Sequence, residues 1–231
     1  MTAGRLLLWR HGRTAHNASA RLQGQVDIPL DDVGRWQART AAARLLARHE
    51  PTQVVTSDLS RAHATAEFLA RGAGLDLAVD PRLRERGFGI WEGLTGDEIV
   101  ARWPDEFAVW RSGGEPAGVG AESRAEVAER VGVAVEEHAT ALDRSDTLVV
   151  VSHGSAISST VGRLLGLGDR LHVFTGMLNA HWAELSSTTH EGGTAWRLTG
   201  YNLGPTDASS DWNAGPDTRE SDADAETRDP D

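Results

Sequence analysis

The chain has no cysteine and no lysine among its 231 residues. Without cysteine, disulfides, thiolate metal sites and a thiol nucleophile are all excluded. Long apolar runs are missing too. The two obvious ones, Leu6–Trp9 and Leu148–Val151, are four residues each. A membrane helix needs about 20 residues, and a signal-peptide core is also longer than four. A cytoplasmic location and no membrane partner are therefore expected. Positive charge is scarce: the net charge is −11, and nine acids against two arginines (Arg219, Arg228) follow Pro205. A mildly acidic body with an acidic tail suits neither nucleic acid nor an anionic lipid surface. What is present suffices for a sizeable core, since 39% of the residues are hydrophobic.

Strand and helix patterns alternate along the chain. Residues 5–9 (RLLLW) read as a buried strand that ends at Arg10-His11-Gly12, and 12–30 as a loop. A helix is predicted from about Asp31 to His49, stopped by Pro51. A second strand follows at 53–56, with Ser57 and Asp58 as N-caps for a helix from Leu59 to the glycines at 72 and 74. A short strand near 76–79 leads into Leu83–Gly93, and one helical stretch rich in Trp and acids covers 95–110. A long helix over 121–143 carries Val127, Val131 and Val135 on one face. Residues 147–151 read as a strand buried on both faces. A helix over 154–165 and two strands at 179–186 and 194–201 complete the pattern. The pattern predicts an α/β fold with a mostly parallel sheet. Residues 1–204 would form the domain. Residues 205–231 would be a disordered acidic tail, with Trp212 the one residue equipped to dock back on the body.

Three polar features occupy equivalent places. Arg10-His11-Gly12 follows the first strand, Arg61 opens the helix after the second, and His153-Gly154 follows the strand 147–151. In an open α/β sheet such residues gather at the carboxyl edge, where ligands bind. A helix opening at Gly154 adds backbone N–H groups and a positive dipole end. Two arginines, two histidines and a helix N-terminus make an anion site. Histidine can also serve as a nucleophile near neutrality, which points to phosphoryl transfer, with Glu85 a candidate acid. Two other readings stay open: a non-catalytic phospho-ligand binder, and a metal hydrolase built from His11, His16, His153 and a carboxylate. The Trp91, Trp103, Trp110 series favours packing over a carbohydrate platform. His49, His63 and His138 are assigned structural places on helices. His172 and His190 have no evident partner, and His181 is a weaker candidate for substrate contact.

These motifs resemble the histidine phosphatase superfamily, also called phosphoglycerate mutase-like. The resemblance rests on Arg10-His11-Gly12-Arg13-Thr14 with Asn17, Ser57-Asp58-Leu59-Ser60-Arg61-Ala62, Leu83-Arg84-Glu85 with Gly89-Ile90-Trp91-Glu92-Gly93, and Val151-Ser152-His153-Gly154. It covers about residues 5–201. It implies a three-layer α/β/α sandwich with a mostly parallel mixed sheet. It implies that His11 is phosphorylated, that Arg10, Arg61 and His153 hold the phosphoryl oxygens, and that Glu85 protonates the leaving oxygen. Asn17 and Gly154 would line the phosphate pocket. No metal and no cofactor are implied, and the partner would be a small phosphorylated metabolite. Family members often carry Glu or Gln where Arg13 stands; pairing of Arg13 with a surface acid is expected. The segments Arg21–Asp27, Gly176–Ala180 and Trp196–Leu198 resemble one subfamily, the glucosyl-3-phosphoglycerate phosphatases, in which Gln23 would contact substrate. The mutases of the superfamily use added basic residues, a lysine among them, and a longer loop. Neither is present here, so hydrolysis is expected over mutase activity. The late strands offer an edge that would pair in a homodimer. Truncation after about Pro205 is expected to leave activity intact.

Overall fold

The computed structural model describes residues 2–168, 173–190, 193–204, 212, 213 and 215. Six strands form one sheet: β1 (Arg5–Arg10), β2 (Gln53–Thr56), β3 (Leu77–Val79), β4 (Thr147–Ser152), β5 (Trp182–His190) and β6 (Gly193–Leu203). Their order is β3-β2-β4-β1-β5-β6. The first four run parallel, and β5 and β6 join antiparallel. β4 lies at the centre with all six residues buried, as its unbroken apolar run requires.

Alternation along β1 divides the core into two halves. Leu6 and Leu8 face one side, where α6 (Arg124–Thr140) and α7 (Gly154–Leu164) cover them with Val127, Val131, Val135, Ile157 and Val161. Leu7 and Trp9 face the other side, under α2 (Asp32–Leu46) and α3 (Ser60–Ala73), which contribute Ala41, Leu45, Ala62 and Leu69. The result is the three-layer α/β/α sandwich. A separate aromatic cluster of Phe88, Trp91, Ile99, Trp103, Phe107 and Trp110 forms a cap beyond the carboxyl edge.

Several local expectations need correction. The loop 12–30 contains a one-turn helix, α1 (Ala15–Ala18), held by a capping box between Thr14 and Asn17; Asn17 departs from the usual Glu/Gln partner. Neither Ser57 nor Asp58 caps α3. The distant Asp27 Oδ1 instead accepts from Ser60 N at 2.8 Å, and Asp58 is engaged by Arg84. The helical stretch 95–110 is two helices, α4 (Gly96–Arg102) and α5 (Pro104–Arg111). Pro104 forces the break, because it lacks an N–H and takes the first position of a new helix. The strand placed at 179–186 begins only at Trp182, leaving Asn179 and His181 in the preceding turn. Among the described residues no helix is long and apolar enough to cross a membrane.

Trp212 is 4% exposed and packs into the half of the core beneath α2. Asn213 and Gly215 are described beside it. The other residues of the tail, for which disorder is expected, lie outside the described residues, as does His172.

Candidate active site

Parallel pairing of β1 with β4 places Arg10 opposite Ser152. The next residue on each strand is therefore His11 and His153. Adjacent strands lie about 4.8 Å apart, and the two imidazole rings stand 5.1 Å apart, centre to centre. Both are buried, His11 at 2% exposure and His153 at 0%. Gly12 makes the tight exit from β1 achievable, because a Cβ there would run into the carbonyl of Gly34 in α2.

Hydrogen bonds assign the tautomers of both rings. His11 Nδ1 lies 2.7 Å from the carbonyl oxygen of Gly12. A carbonyl only accepts, so Nδ1 carries the proton and Nε2 keeps its lone pair. Arg61 Nε donates to His153 Nδ1 at 3.3 Å, so the His153 proton sits on Nε2. Burial, then the charges of Arg61 and Arg10, hold the His11 pKa well below 6.5. Burial, then Arg61, His11 and Arg10, do the same for His153. Both rings are neutral at neutral pH.

The two arginines are held by neutral groups. Arg61 is fully buried and donates to the carbonyls of Val26 and Gly24, each at 2.8 Å. Burial lowers its pKa to about 10, so it stays protonated. Arg10 donates to the carbonyl of Met177. Two buried donors, Arg10 Nε and His153 Nε2, have no hydrogen-bond partner among the described residues. An unsatisfied buried donor costs about 1–3 kcal/mol. Arg10 lines the same cleft as His11, and the His153 ring stands 5.1 Å from that of His11.

Glu85 lies at the N-terminus of α7. Its Oε1 accepts from Ala156 N at 2.9 Å and Arg86 N at 2.8 Å, and its Oε2 from Ser155 N at 3.1 Å. A Cβ on Gly154 would lie 3.6 Å from Arg10 Nε and 3.8 Å from Glu85 Oε2, so the bare glycine keeps this corner open. Arg10, His11, Asn17, Gln23, Arg61, Glu85 and Gly154 all line one cleft of about 660 Å³. His153 does not line the cleft itself; it is fully buried with its ring beside that of His11. Asn17 Oδ1 and Gln23 Oε1 are tied to Thr14, at 3.1 and 2.8 Å from its Oγ1.

The structure also places the other candidate residues. Arg13 pairs with Asp31 at 2.8 Å and does not line the cleft, as expected for a surface pair. His181 turns away from the cleft, its ring edge-on to Trp212 at 5.8 Å. His49 and His138 lie 3.8 and 3.1 Å from Glu184 and Asp80. Trp91 is fully buried packing, whereas Trp110 both packs on it and lines the cleft with Phe88. Among the described residues no group of three His, Asp or Glu side chains is disposed to hold a metal ion.

Four contributors are assigned no role by the motifs. Tyr201, from β6, lines the cleft; burial pushes its pKa up to about 12. Asn179 Nδ2 donates to the His11 carbonyl at 3.2 Å. Arg130 and Gln25 hold the carbonyl of Glu85 at 3.3 and 3.2 Å. Gln25 and Asn179 lie in the segments that carry the subfamily resemblance, whereas no local signal marks Tyr201 or Arg130.

Comparison with known proteins agrees with this geometry. Residues 6–203 match the model of the histidine phosphatase superfamily (branch 1). The chain is 39% identical over 216 residues to a glucosyl-3-phosphoglycerate phosphatase of Mycolicibacterium vanbaalenii, covering 87% of this chain and 96% of that one. It is 37% identical over 164 residues to a probable phosphoglycerate mutase of Photorhabdus laumondii, covering 69% and 74%. The solved mycobacterial glucosyl-3-phosphoglycerate phosphatase in complex with VO3 superposes with a TM-score of 0.78 at 38% identity, covering 86% of this chain and 98% of that one. The chain belongs to the histidine phosphatase superfamily, branch 1.

Proposed function

We propose that the chain is a phosphomonoesterase that works without a metal ion, through a phosphohistidine on His11, and that its substrate is glucosyl-3-phosphoglycerate. One observation carries the mechanism. A neutral imidazole presents its Nε2 lone pair beside two buried donors that lack partners, Arg10 Nε–H and His153 Nε2–H. A phosphoryl group offers acceptor oxygens to both and an electrophilic phosphorus to the lone pair. The substrate assignment rests on the 39% identical relatives.

In the first step His11 Nε2 attacks phosphorus. The bond from phosphorus to the ester oxygen breaks, and Glu85 gives that oxygen its proton. Arg10, Arg61 and His153 hold the three equatorial oxygens, whose charge peaks in the transition state. Asn17, Gln23 and Gly154 line the pocket around them. In the second step water attacks phosphorus, Glu85 takes the water's proton, the N–P bond breaks, and inorganic phosphate leaves. The cycle returns His11 and Glu85 to their starting protonation states. Hydrolysis is favoured over phosphoryl return because the chain has no lysine with which to grip a second phosphoglycerate anion. We place the enzyme in the cytoplasm. We assign the catalytic unit to residues 1–204, and the homodimer contact to the edge of β6.

The test is phosphate release from glucosyl-3-phosphoglycerate, 3-phosphoglycerate, phosphoserine and para-nitrophenyl phosphate in EDTA, with His11→Ala beside the wild type. Chelator-resistant turnover, at least about a thousandfold lower in the variant, is expected. Turnover lost in EDTA, or retained by His11→Ala, overturns the mechanism. Fast exchange of 3- and 2-phosphoglycerate overturns the preference for hydrolysis.

A further inference from the structure

The His11 backbone is held from behind by the turn 177–180. Its carbonyl accepts from Ala180 N at 3.1 Å and from Asn179 Nδ2 at 3.2 Å. The preceding guanidinium, Arg10, rests on the carbonyl of Met177 in the same turn. Ala180 itself sits at φ 57, a left-handed conformation that a non-glycine residue adopts only when its surroundings impose it. Something must therefore lock this turn. The buried indole of Trp212 donates from Nε1 to the carbonyl of Asn179 at 2.9 Å, next to the strained residue.

Trp212 also reaches the other side of the same loop. Its own carbonyl accepts from Gln37 Nε2 at 2.9 Å, and Gln37 Oε1 accepts from Arg13 N at 2.9 Å. Gln37 is fully buried, so both of its bonds are costly to lose. Arg13 in turn donates to the carbonyl of Asn213. The indole ring packs on Trp36 of α2 at 4.9 Å. One tail residue thus bridges the turn under His11 and the helix against which Gly12 and Arg13 pack.

We propose that Trp212 is a positioning residue: docked from the acidic tail, it locks the turn 177–180 and thereby fixes the backbone of the Arg10–Arg13 loop. The proposal rests on the reading of His11 as the nucleophile. It does not touch substrate and acts only through Asn179, Gln37 and Arg13. It reverses the expectation that the chain beyond Pro205 is dispensable.

The experiment uses the full chain as wild type, Trp212→Phe, Trp212→Ala and His11→Ala. Phe keeps an aromatic ring in the site and removes the N–H together with part of the ring volume. With para-nitrophenyl phosphate, kcat should fall about fivefold in Trp212→Phe and about thirtyfold in Trp212→Ala, since small misplacements of a nucleophile are costly. KM should stay within about twofold, because the oxygen-binding side chains remain. Amide hydrogen exchange of residues 10–13 should quicken about tenfold or more in both variants, with α6 unchanged. The proposal is overturned if kcat stays within about twofold in Trp212→Phe, or if exchange quickens in α6 as much as in 10–13, which marks general loosening. Should Trp212→Ala fail to fold, Trp212→Phe alone decides. A failure of the phosphohistidine reading shows separately, as turnover retained by His11→Ala, whereas the exchange arm needs no turnover.

Discussion

Arginine does opposite work in two regions of this molecule. At the cleft, the part-buried Arg10 and the buried Arg61 donate to carbonyl oxygens, and neither forms an ion pair with a carboxylate among the described residues, although the charge of Glu85 acts on both. In the cap and its approaches, Arg21, Arg84, Arg86 and Arg130 each pair with an acid: Glu98, Asp58, Glu115 and Glu122. A guanidinium on a neutral dipole keeps more of its charge for a ligand than one held in an ion pair with a carboxylate. Burial does not separate the groups, since Arg86 is only 2% exposed yet pairs with Glu115. The partner decides. The histidines divide the same way: His11 and His153 face arginines, while His49 and His138 face carboxylates.

The comparison predicts its own largest break. Arg61→Met should lower kcat/KM by about 10²–10³, the range for losing a preorganised charge at a developing oxyanion. It also releases His153 Nδ1. Steady-state kinetics on the best substrate checks this. A loss under about tenfold would mean that the cleft arginines are structural, like those of the cap.

Glu85→Gln comes next. Kcat should fall about 10²-fold on an alkyl phosphate, whose leaving oxygen needs a proton. On para-nitrophenyl phosphate, with a stable leaving anion, the fall should be about tenfold or less. In single-turnover phosphorylation of His11, which precedes the water step common to both substrates, equal losses on both would show that Glu85 serves to hold α7 rather than to protonate the leaving oxygen.

A smaller effect is expected in stability against pH. His11 and His153 have folded-state pKa values pushed below the 6.5 of an unfolded chain. As pH falls through that window the unfolded state takes up protons that the native state refuses, so stability decreases with acid. Each histidine contributes a slope of about 1.4 kcal/mol per pH unit at most. Denaturant midpoints between pH 7.5 and 5.5 should fall less steeply in His153→Gln than in the wild type. An unchanged slope would mean that His153 is not held neutral in the fold.

The smallest effect belongs to the cap. Arg84→Met removes a partly exposed pair with Asp58 and should cost less than about 1 kcal/mol. It should change kcat/KM by about threefold at most. A large kinetic loss would show that cap arginines also act on substrate, erasing the contrast.

Much of this was legible in one dimension. The unbroken run of β4 announced a strand buried on both faces, and the valines of α6 announced its inner face. The three Arg/His motifs, each just past a strand or in the first turn of a helix, announced a shared edge. Local rules failed where a distant residue took over: Asp27 caps α3 in place of Ser57 or Asp58. Trp212, the one tail residue equipped to dock, does pack on the body. Pro104 was a local signal, and it splits the helical stretch as proline must.

The amino-acid sequence by itself determined the chemistry available: two histidines, two arginines and one carboxylate at element ends, with no thiol and no lysine to substitute for them. Only the tertiary structure decided what those groups became. The register of β1 on β4 set His11 beside His153. The choice of a carbonyl or a carboxylate as partner decided which arginines kept more of their charge. Burial made both imidazoles neutral, and one lone pair was left facing the cleft. Partner, register and desolvation depend on residues far apart in the chain, so they come into being only when it folds.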